Sequence, residues 1–299
     1  MRARISAVAI VALVTLTTAC SNADPLAEGP EGDDSSIVVG SQQYYSNEII
    51  AELYAQALED AGVSVTRQFQ IGQREVYMPE MESGNIDVMP EYGGNLLQYL
   101  DDSAQVTDRA EIDEALGAAL PDNLRALDSA EATDQDSYVV TRGFAEEHKL
   151  QTIGDLAGAG PIKLAANSEF ETRPYGPSGA REVYGVDVTV QPVEDSGGPL
   201  TVKALVDGDA QVADIYSADP AIEIHDLVVL EDPKGMILPQ HVTPIVSDTV
   251  DDRAADVIND VNARLTAPEL IALNRRSVEE QLGSGDIAGE WLRSQGLVD

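Results

Sequence analysis

Short apolar runs alternate with helix-like segments through the first hundred residues, and this alternation limits the chain to few folds. The apolar runs are bounded by glycine, serine or proline, which is typical of buried parallel strands. The segments between them repeat apolar residues at helical spacing. This order predicts parallel strands joined by crossover helices. The elements are a strand at 37–41, a helix at 46–61, a strand at 63–71, a helix at 74–83 and a strand at 86–89 that Pro90 ends.

A second α/β unit is predicted to interrupt the first. A strand at 242–246 and helices at 253–265, 268–281 and 287–295 close the chain. The predicted fold class is α/β with two lobes: 36–137 and 242–299 form lobe I, 138–241 form lobe II, and two crossings lie near Ser137 and Pro239. Such lobes can close on a ligand. A helix at 108–120 belongs to the first part of lobe I. Between the two parts of lobe I come strands at 137–141, 162–166, 188–193, 211–216 and 227–230 and helices at 177–184 and 199–206.

The N-terminal residues predict an exported lipoprotein. Arg2 and Arg4 precede an apolar run at 5–16, which is too short to span a bilayer, and Thr17-Thr18-Ala19-Cys20 follows. Cys20 is the single cysteine of the chain, and its position after small residues favours lipidation. We therefore expect a signal peptide at 1–19, a flexible tether at 20–35, and attachment to the outer face of the cytoplasmic membrane through Cys20.

Charge and chemistry exclude several classes of protein. The chain has 18 Lys and Arg against 53 Asp and Glu, a formal net charge of −35, so it lacks the basic face that nucleic-acid binding needs. His148, His225 and His241 stand far apart, without cysteine or carboxylate at ligand spacing, so we expect no metal site. No complete catalytic or phosphate-binding motif occurs, so we expect neither a cofactor nor an enzyme.

The stretch 86–95 combines a strand with features of a ligand site. Ligands of open α/β sheets lie beyond the carboxyl ends of strands, near helix amino termini. Tyr92 falls at that place, and Gly93 and Gly94 would let the backbone approach a ligand. A strand-to-helix turn whose tyrosine packs against the sheet edge remains the alternative.

Tyrosine recurs at the ends of predicted strands. Aromatic residues make up only 5% of the chain, yet Tyr92, Tyr138 and Tyr216 each lie at or just after a strand. Tyrosines that meet in a cleft can form an aromatic box for a quaternary ammonium, whose diffuse positive charge is attracted to ring faces. Packing of these rings against the sheet is the alternative interpretation.

Several motifs in order resemble the glycine betaine, carnitine and choline binding lipoproteins of osmoprotectant ABC importers. They are residues 37–41, Glu82-Ser83-Gly84-Asn85-Ile86-Asp87 running into Pro90-Glu91-Tyr92-Gly93-Gly94, residues 152–156 and residues 213–220, and the resemblance covers nearly all of 37–295. It implies a periplasmic-binding-protein-like (type II) fold whose two lobes close on a small solute. It also implies transfer of that solute to the permease subunits of an ABC importer.

The resemblance further implies which residues bind the ligand. Tyr92, Tyr138 and Tyr216 correspond to three walls of a tyrosine box around a trimethylammonium group. Arg173 corresponds to an arginine that receives a ligand carboxylate. A salt bridge between Arg173 and a nearby acidic residue is the alternative.

The chain departs from the family pattern at several of these positions. Gln42 replaces a lysine, Asn95 replaces a threonine and His241 replaces the fourth box tyrosine, while Tyr44 or Tyr45 could restore the missing wall. We therefore expect a modified box for glycine betaine, proline betaine, carnitine or choline. The same fold with an aromatic or polyhydroxylated solute is the alternative, with Gln42, Asn95, Tyr44 and Tyr45 then supplying hydrogen bonds and stacking. A lipoprotein with an enzymatic or structural function is a more distant one.

Overall fold

The computed structural model describes residues 36–104 and 106–299. The expected signal peptide, the lipidated Cys20 and the tether lie outside these residues. Within the described ranges, no helix is both long and apolar enough to cross a membrane.

Strands and helices alternate through most of the described chain. The strands are β1 (Ile37–Gly40), β2 (Val65–Gln68), β3 (Val88–Tyr92), β4 (Leu124–Ala126), β5 (Tyr138–Thr141), β6 (Ile162–Ala166), β7 (Val188–Pro192), β8 (Val212–Asp214), β9 (Leu227–Val229) and β10 (Val242–Ser247). The α-helices are α1 (Tyr45–Asp60), α2 (Arg74–Glu82), α3 (Gly93–Leu100), α4 (Arg109–Ala119), α5 (Arg142–His148), α6 (Pro177–Gly179), α7 (Pro199–Val206), α8 (Ala221–Ile224), α9 (Asp252–Asn262), α10 (Ala267–Glu280) and α11 (Ser284–Gln295).

The strands form two five-stranded sheets, one in each lobe. The first has the order β2-β1-β3-β10-β4 and the second the order β7-β6-β8-β5-β9. β1, β2 and β3 run parallel, as the sequence predicts, but β10 is antiparallel to both β3 and β4. The second sheet is likewise mixed, because β5 is antiparallel to β8 and β9. The parallel pairing predicted for the first hundred residues is thus confirmed, and the antiparallel strands β5 and β10 lie where the chain enters or leaves a lobe.

Two chain segments connect the sheets. The chain leaves the first sheet after β4 and enters the second at β5, and it returns between β9 and β10. The two connecting segments lie side by side, since Thr133 pairs with His241 in an antiparallel bridge. The amide of Asp134 donates to the carbonyl of Gln240 at 3.3 Å, and the amide of Val242 donates to that of Ala132 at 3.0 Å. These two connecting segments, 127–137 and 230–241, are together called the paired strap below.

Helices cover both faces of the first sheet. On one face, buried apolar residues of α1, α9, α10 and α11 pack against β1 and β3, with Ile49, Leu53, Ile258 and Trp291 among them. On the other face, α2, α3 and α4 pack against β3 and β10. Burial of this area, roughly 25 cal/mol per Å² of apolar surface, fixes the strand ends that carry the site.

β3 runs past Pro90, where the sequence predicts its end. Pro90 faces Pro244 of β10. The two prolines form a non-hydrogen-bonded pair of the antiparallel ladder, so their peptide groups point away from each other. The missing N–H of proline therefore costs no hydrogen bond between these two strands. The outward carbonyl of Pro90 accepts from Asn47 Nδ2, and that of Pro244 accepts from the amide of Leu127, both at 2.9 Å. β3 therefore continues to Tyr92, and α3 begins at the next residue.

The glycine pair after Tyr92 has a structural role that differs from the predicted one. Gly94 lies in the first turn of α3, and a Cβ there would be 2.5 Å from the carbonyl oxygen of Pro239 and 2.7 Å from Cβ of Leu238. The glycine thus makes room for the returning connection, and the space predicted for a ligand at this backbone is filled by protein.

Candidate functional site

A cavity lies where the ends of β1, β3, β6 and β8 approach the two connecting segments, and it is called the cleft cavity below. Its unfilled volume, partly open to solvent, is about 440 Å³. Strand ends are where ligands of α/β sheets bind. The lining residues are Gln42, Tyr44, Gln73, Arg74, Tyr92, Asn95, Asp134, Asp136, Asn167, Glu169, Phe170, Arg173, Tyr175, Asp214, Tyr216 and Gln240.

Three tyrosines of the cleft cavity lie together, with the ring of Tyr44 in contact with the other two. The ring of Tyr44 is stacked with that of Tyr92, with centroids 6.5 Å apart and planes at 23°. The same ring meets Tyr216 edge to face at 5.0 Å and 63°. Burial raises the pKa of all three phenols, so their hydroxyls stay protonated and the rings neutral. Neutral phenol faces attract a cation through the ring quadrupole.

Two more aromatic residues line the second-lobe side. Phe170 and Tyr175 meet edge to face, with centroids 5.7 Å apart. Both follow β6 and are almost fully buried. Neither residue was expected at the site from the sequence, although Tyr175 lies only two residues beyond Arg173, to which the resemblance to the family points.

The structure brings together six of the nine residues expected to bind the ligand. Those six line the cleft cavity: Gln42, Tyr44, Tyr92, Asn95, Arg173 and Tyr216.

The other three lie elsewhere among the described residues. Tyr138 lies outside the lining of the cleft cavity, and its hydroxyl donates to the carbonyl of the lining residue Tyr175 at 2.8 Å. The hydroxyl of Tyr45 donates to Asp219 at 2.9 Å, beside a different groove. Nδ1 of His241 lies 2.9 Å from the carbonyl oxygen of Ala130 in the paired strap, and burial lowers the pKa of this imidazole.

Both arginines of the cleft cavity are already paired with carboxylates. Arg74 makes a bidentate pair with Glu91, with both N–O distances 2.8 Å, and Tyr77 donates to the same carboxylate. Nη1 and Nη2 of Arg173 donate to the two carboxylate oxygens of Glu75 at 2.7 and 3.3 Å, and the two residues are 98 positions apart in the sequence. Each guanidinium charge is therefore compensated within the protein, and a ligand carboxylate would have to compete for it.

Asp136 and Asp214 place two carboxyl groups in the lining of the cleft cavity, on the side called its floor below. Asp136 accepts from Asn95 Nδ2 at 2.5 Å, and Asp214 accepts from the amide of Ser137 at 3.1 Å. Burial, and then the charge of Asp136, raises the pKa of Asp214 well above its usual range. Ionisation of neighbouring buried carboxyl groups is costly unless a cation is bound close to them.

A third carboxyl group, Asp134, lies in the paired strap. It accepts from Ser46 Oγ at 2.9 Å and from the amide of Ala218 at 3.0 Å. Burial raises the pKa of Asp134 to about 7, and the charges of Asp219 and Asp136 act in the same direction. Asp134 therefore changes from neutral to negatively charged near neutral pH.

Two polar atoms of the lining have no hydrogen-bond partner among the described residues. One is Nε2 of Gln42, a donor on a side chain that is only 5% exposed. The other is Oε2 of Glu169, an acceptor. Buried polar groups are nearly always satisfied, so an unpaired donor and an unpaired acceptor facing one cavity indicate a place for a polar ligand.

Comparison with known proteins gives the family. A family model for the substrate binding domain of the ABC-type glycine betaine transport system matches residues 35–294. The glycine betaine-binding protein YehZ of Escherichia coli K12 is 27% identical over 284 residues, which cover 88% of this chain and 91% of that protein.

Solved structures agree on the fold. A glycine betaine/carnitine/choline ABC transporter structure superposes with a TM-score of 0.71 at 21% identity, covering 88% of this chain and all of the other. Lactococcal OpuAC, closed on glycine betaine, gives a TM-score of 0.63 at 16% identity, covering 88% and 97%. These similarities show the two-lobed, periplasmic-binding-protein-like α/β fold. The chain thus belongs to the family of substrate-binding domains of ABC-type glycine betaine transport systems, which is a family of solute-binding proteins and not of enzymes.

Proposed function

We propose that this protein is the lipid-anchored, extracytoplasmic solute-binding component of an ABC importer, and that its ligand is a small quaternary ammonium compound. The observation that carries the ligand class is the contact of Tyr44 with both Tyr92 and Tyr216 in the cleft cavity. A trimethylammonium group has no hydrogen to donate, and buried ring faces are what protein can offer it. The protein performs no reaction and delivers the solute to the permease.

The division into lobe I (36–137 and 242–299) and lobe II (138–241) supports closure as the transport signal. Contacts between the lobes surround the cleft cavity. Nε2 of Gln43 donates to Oγ of Ser196 at 3.0 Å, and Nε2 of Gln73 does so at 3.3 Å. Together with the Arg173–Glu75 pair, these contacts form only when the lobes are close. We propose that a bound solute stabilises this closed arrangement, which the permease recognises.

A thermal-shift panel tests the ligand class. Purified protein is heated with glycine betaine, proline betaine, carnitine, choline, and neutral aromatic and polyol solutes. Ligand at a hundred times its Kd adds about 2.7 kcal/mol to the stability, which raises Tm by roughly 5–10 °C for a chain of this size. A rise with one or more quaternary amines is expected. A rise in Tm with a polyol alone would refute the quaternary ammonium ligand and leave the solute-binding role unchanged.

Two variants separate binding from folding. Tyr216→Ala should weaken binding of the responding quaternary amine by about 1–2 kcal/mol. Tyr184→Ala is the matched control, because Tyr184 lies outside the cleft cavity and contacts Asp232 and Lys234. Equal affinities of Tyr216→Ala and Tyr184→Ala for that amine would show that the Tyr216 ring does not contact the ligand.

Lipid attachment is tested separately from ligand binding. In the source cell, Cys20→Ser should block incorporation of labelled fatty acid and release the protein from the membrane fraction. Unchanged membrane association of Cys20→Ser would refute the anchor and leave the ligand proposal untouched.

A further inference from the structure

The loop that follows β7 contacts the other lobe through a single hydroxyl group. Oγ of Ser196 accepts from Nε2 of Gln43 at 3.0 Å and from Nε2 of Gln73 at 3.3 Å. Gln43 follows β1 of the first sheet and Gln73 is the N-cap of α2, whereas Ser196 follows β7 of the second sheet. Two separate segments of lobe I therefore meet at one atom of lobe II. This set of hydrogen bonds is called the Ser196 latch below.

The loop holds Ser196 in a backbone conformation that few residues adopt. Its φ is 54°, in the left-handed region, where residues other than glycine are strained. Asn167, which follows β6, accepts from the amide of Ser196 at 2.9 Å and donates to its Oγ at 3.1 Å. The carboxylate of Asp195 accepts from the hydroxyl of Thr201 at 2.6 Å and so anchors the loop to α7. The loop is thus fixed on both sides, with the Ser196 hydroxyl held toward lobe I.

The same loop packs against the chain that carries one wall of the cleft cavity. Gly197 has a φ of +75°, and a Cβ at this residue would lie 3.0 Å from the carbonyl oxygen of Asp214 and 3.5 Å from the amide nitrogen of Tyr216. Both Asp214 and Tyr216 line the cleft cavity. A shift of Tyr216 therefore displaces the loop as well, because no free space separates the two backbones.

The Gln43–Ser196 hydrogen bond joins the lobes without contacting the solute, since both residues lie outside the lining of the cleft cavity. We propose that Ser196 is a positioning residue for lobe closure. A bound solute sets the position of Tyr216, Tyr216 sets the position of the loop, and the Ser196 latch then holds the lobes together. This inference rests on the proposed function for the role of closure and adds the residue that links occupation of the cavity to it.

The Ser196 latch differs in chemistry from the ion pair between the lobes. Arg173 and Glu75 carry opposite charges, and salt screens the attraction between charges that solvent reaches. The amide and hydroxyl groups of the latch are neutral, so salt leaves their hydrogen bonds unchanged. Any effect of a Ser196 substitution should therefore be the same fold-change at about 50 and about 500 mM NaCl. A fold-change that disappears at high salt would assign closure to the ion pair and overturn the proposal.

The rates at which radiolabelled choline and glycine betaine leave the purified protein test the proposal. Ser196→Ala removes the hydroxyl and keeps the strained φ, whereas Ser196→Gly removes the hydroxyl and relieves the strain. For an amine that binds, both substitutions should raise the dissociation rate about 5- to 30-fold, as expected for the loss of two neutral hydrogen bonds. The association rate should stay within about twofold of wild type, because the solute enters while the lobes are apart.

A double-mutant cycle assigns the effect to the bond between the lobes. Gln43→Ala should raise the dissociation rate about 3- to 10-fold. In the Ser196→Gly background the same substitution should add less than about twofold, since its partner is already absent. Gln151→Ala, at an exposed glutamine of lobe II, is the matched control and should behave as wild type. Melting curves establish that each variant is folded.

The outcomes separate this inference from the proposed function. Wild-type dissociation rates in both folded Ser196 variants, or additive effects of the Ser196 and Gln43 substitutions, would overturn the latch while the proposed function stands. A faster rate in Ser196→Ala alone would assign the effect to loop conformation and would also overturn it. Absence of binding by both amines would overturn the proposed function. Small-angle X-ray scattering then decides the latch: a larger radius of gyration for Ser196→Gly than for wild type would retain it, and equal radii would overturn it.

Discussion

Removal of the Tyr44 ring is the sharpest test of the aromatic site. Tyr44 is 8% exposed and is the residue that contacts both Tyr92 and Tyr216, at 6.5 and 5.0 Å. Its loss takes one ring face from the cation and leaves its two neighbours unsupported. A desolvated cation–π contact contributes about 1–2 kcal/mol, so Tyr44→Ala should raise the Kd for a quaternary amine roughly 5- to 30-fold.

A second substitution at the same position separates the ring from its hydroxyl. Tyr44→Phe keeps the ring, and its Kd should stay within about twofold of wild type. Isothermal titration measures both affinities, and melting curves establish folding, since Tyr44→Ala also loses two aromatic contacts that stabilise by about 0.5–1.5 kcal/mol each. Wild-type affinity in folded Tyr44→Ala would refute the reasoning. An equal rise of Kd in Tyr44→Phe would show that the hydroxyl of Tyr44, and not its ring, contributes the binding energy.

Three further predictions concern stability. Gly94→Ala should destabilise by about 1–3 kcal/mol in denaturant unfolding, because its Cβ would meet backbone, whereas Gly117→Ala, with open space, should be neutral or stabilising. Glu91→Gln should lower the unfolding free energy by about 3–5 kcal/mol, since Arg74 would keep a buried charge without its partner; a change below 1 kcal/mol would contradict this. The folded pKa of Asp134, about 7, lies above its unfolded value, so its contribution to ligand-free stability is complete below about pH 4 and is lost, by at most about 4 kcal/mol, as the pH rises through 7. Asp134→Asn should reduce that slope, and an unchanged slope would exclude the group.

Local signals sufficed for much of the fold. The helix predicted at 199–206 and the strand predicted at 162–166 have the predicted bounds, because proline and glycine mark their ends and apolar spacing marks their interiors. The helix predicted at 177–184 is instead a short α6 followed by a π-helical turn. β4 (Leu124–Ala126), at the edge of the first sheet, was missed, since three residues carry too little periodicity to detect.

Long-range pairing decided what local signals left open. Pro90 is a strand terminator by its own chemistry, and it became a strand residue because β10 places Pro244 opposite it. Arg173 was expected at a ligand carboxylate or in a salt bridge, and the fold brings Glu75 to it. The antiparallel position of β10 follows from the return of the chain, which no local pattern encodes.

By itself, the sequence determined the α/β class, the family, and six of the residues that line the cleft cavity, since these depend on residue type and spacing. The tertiary structure alone decided the acidic floor. Asp134, Asp136 and Asp214 are three of 53 acidic residues, and nothing in their neighbourhoods distinguishes them. They acquire their chemistry only when the fold removes water from them and gathers them around one cavity, because burial and mutual repulsion, not residue type, set the ionisation of a carboxyl group.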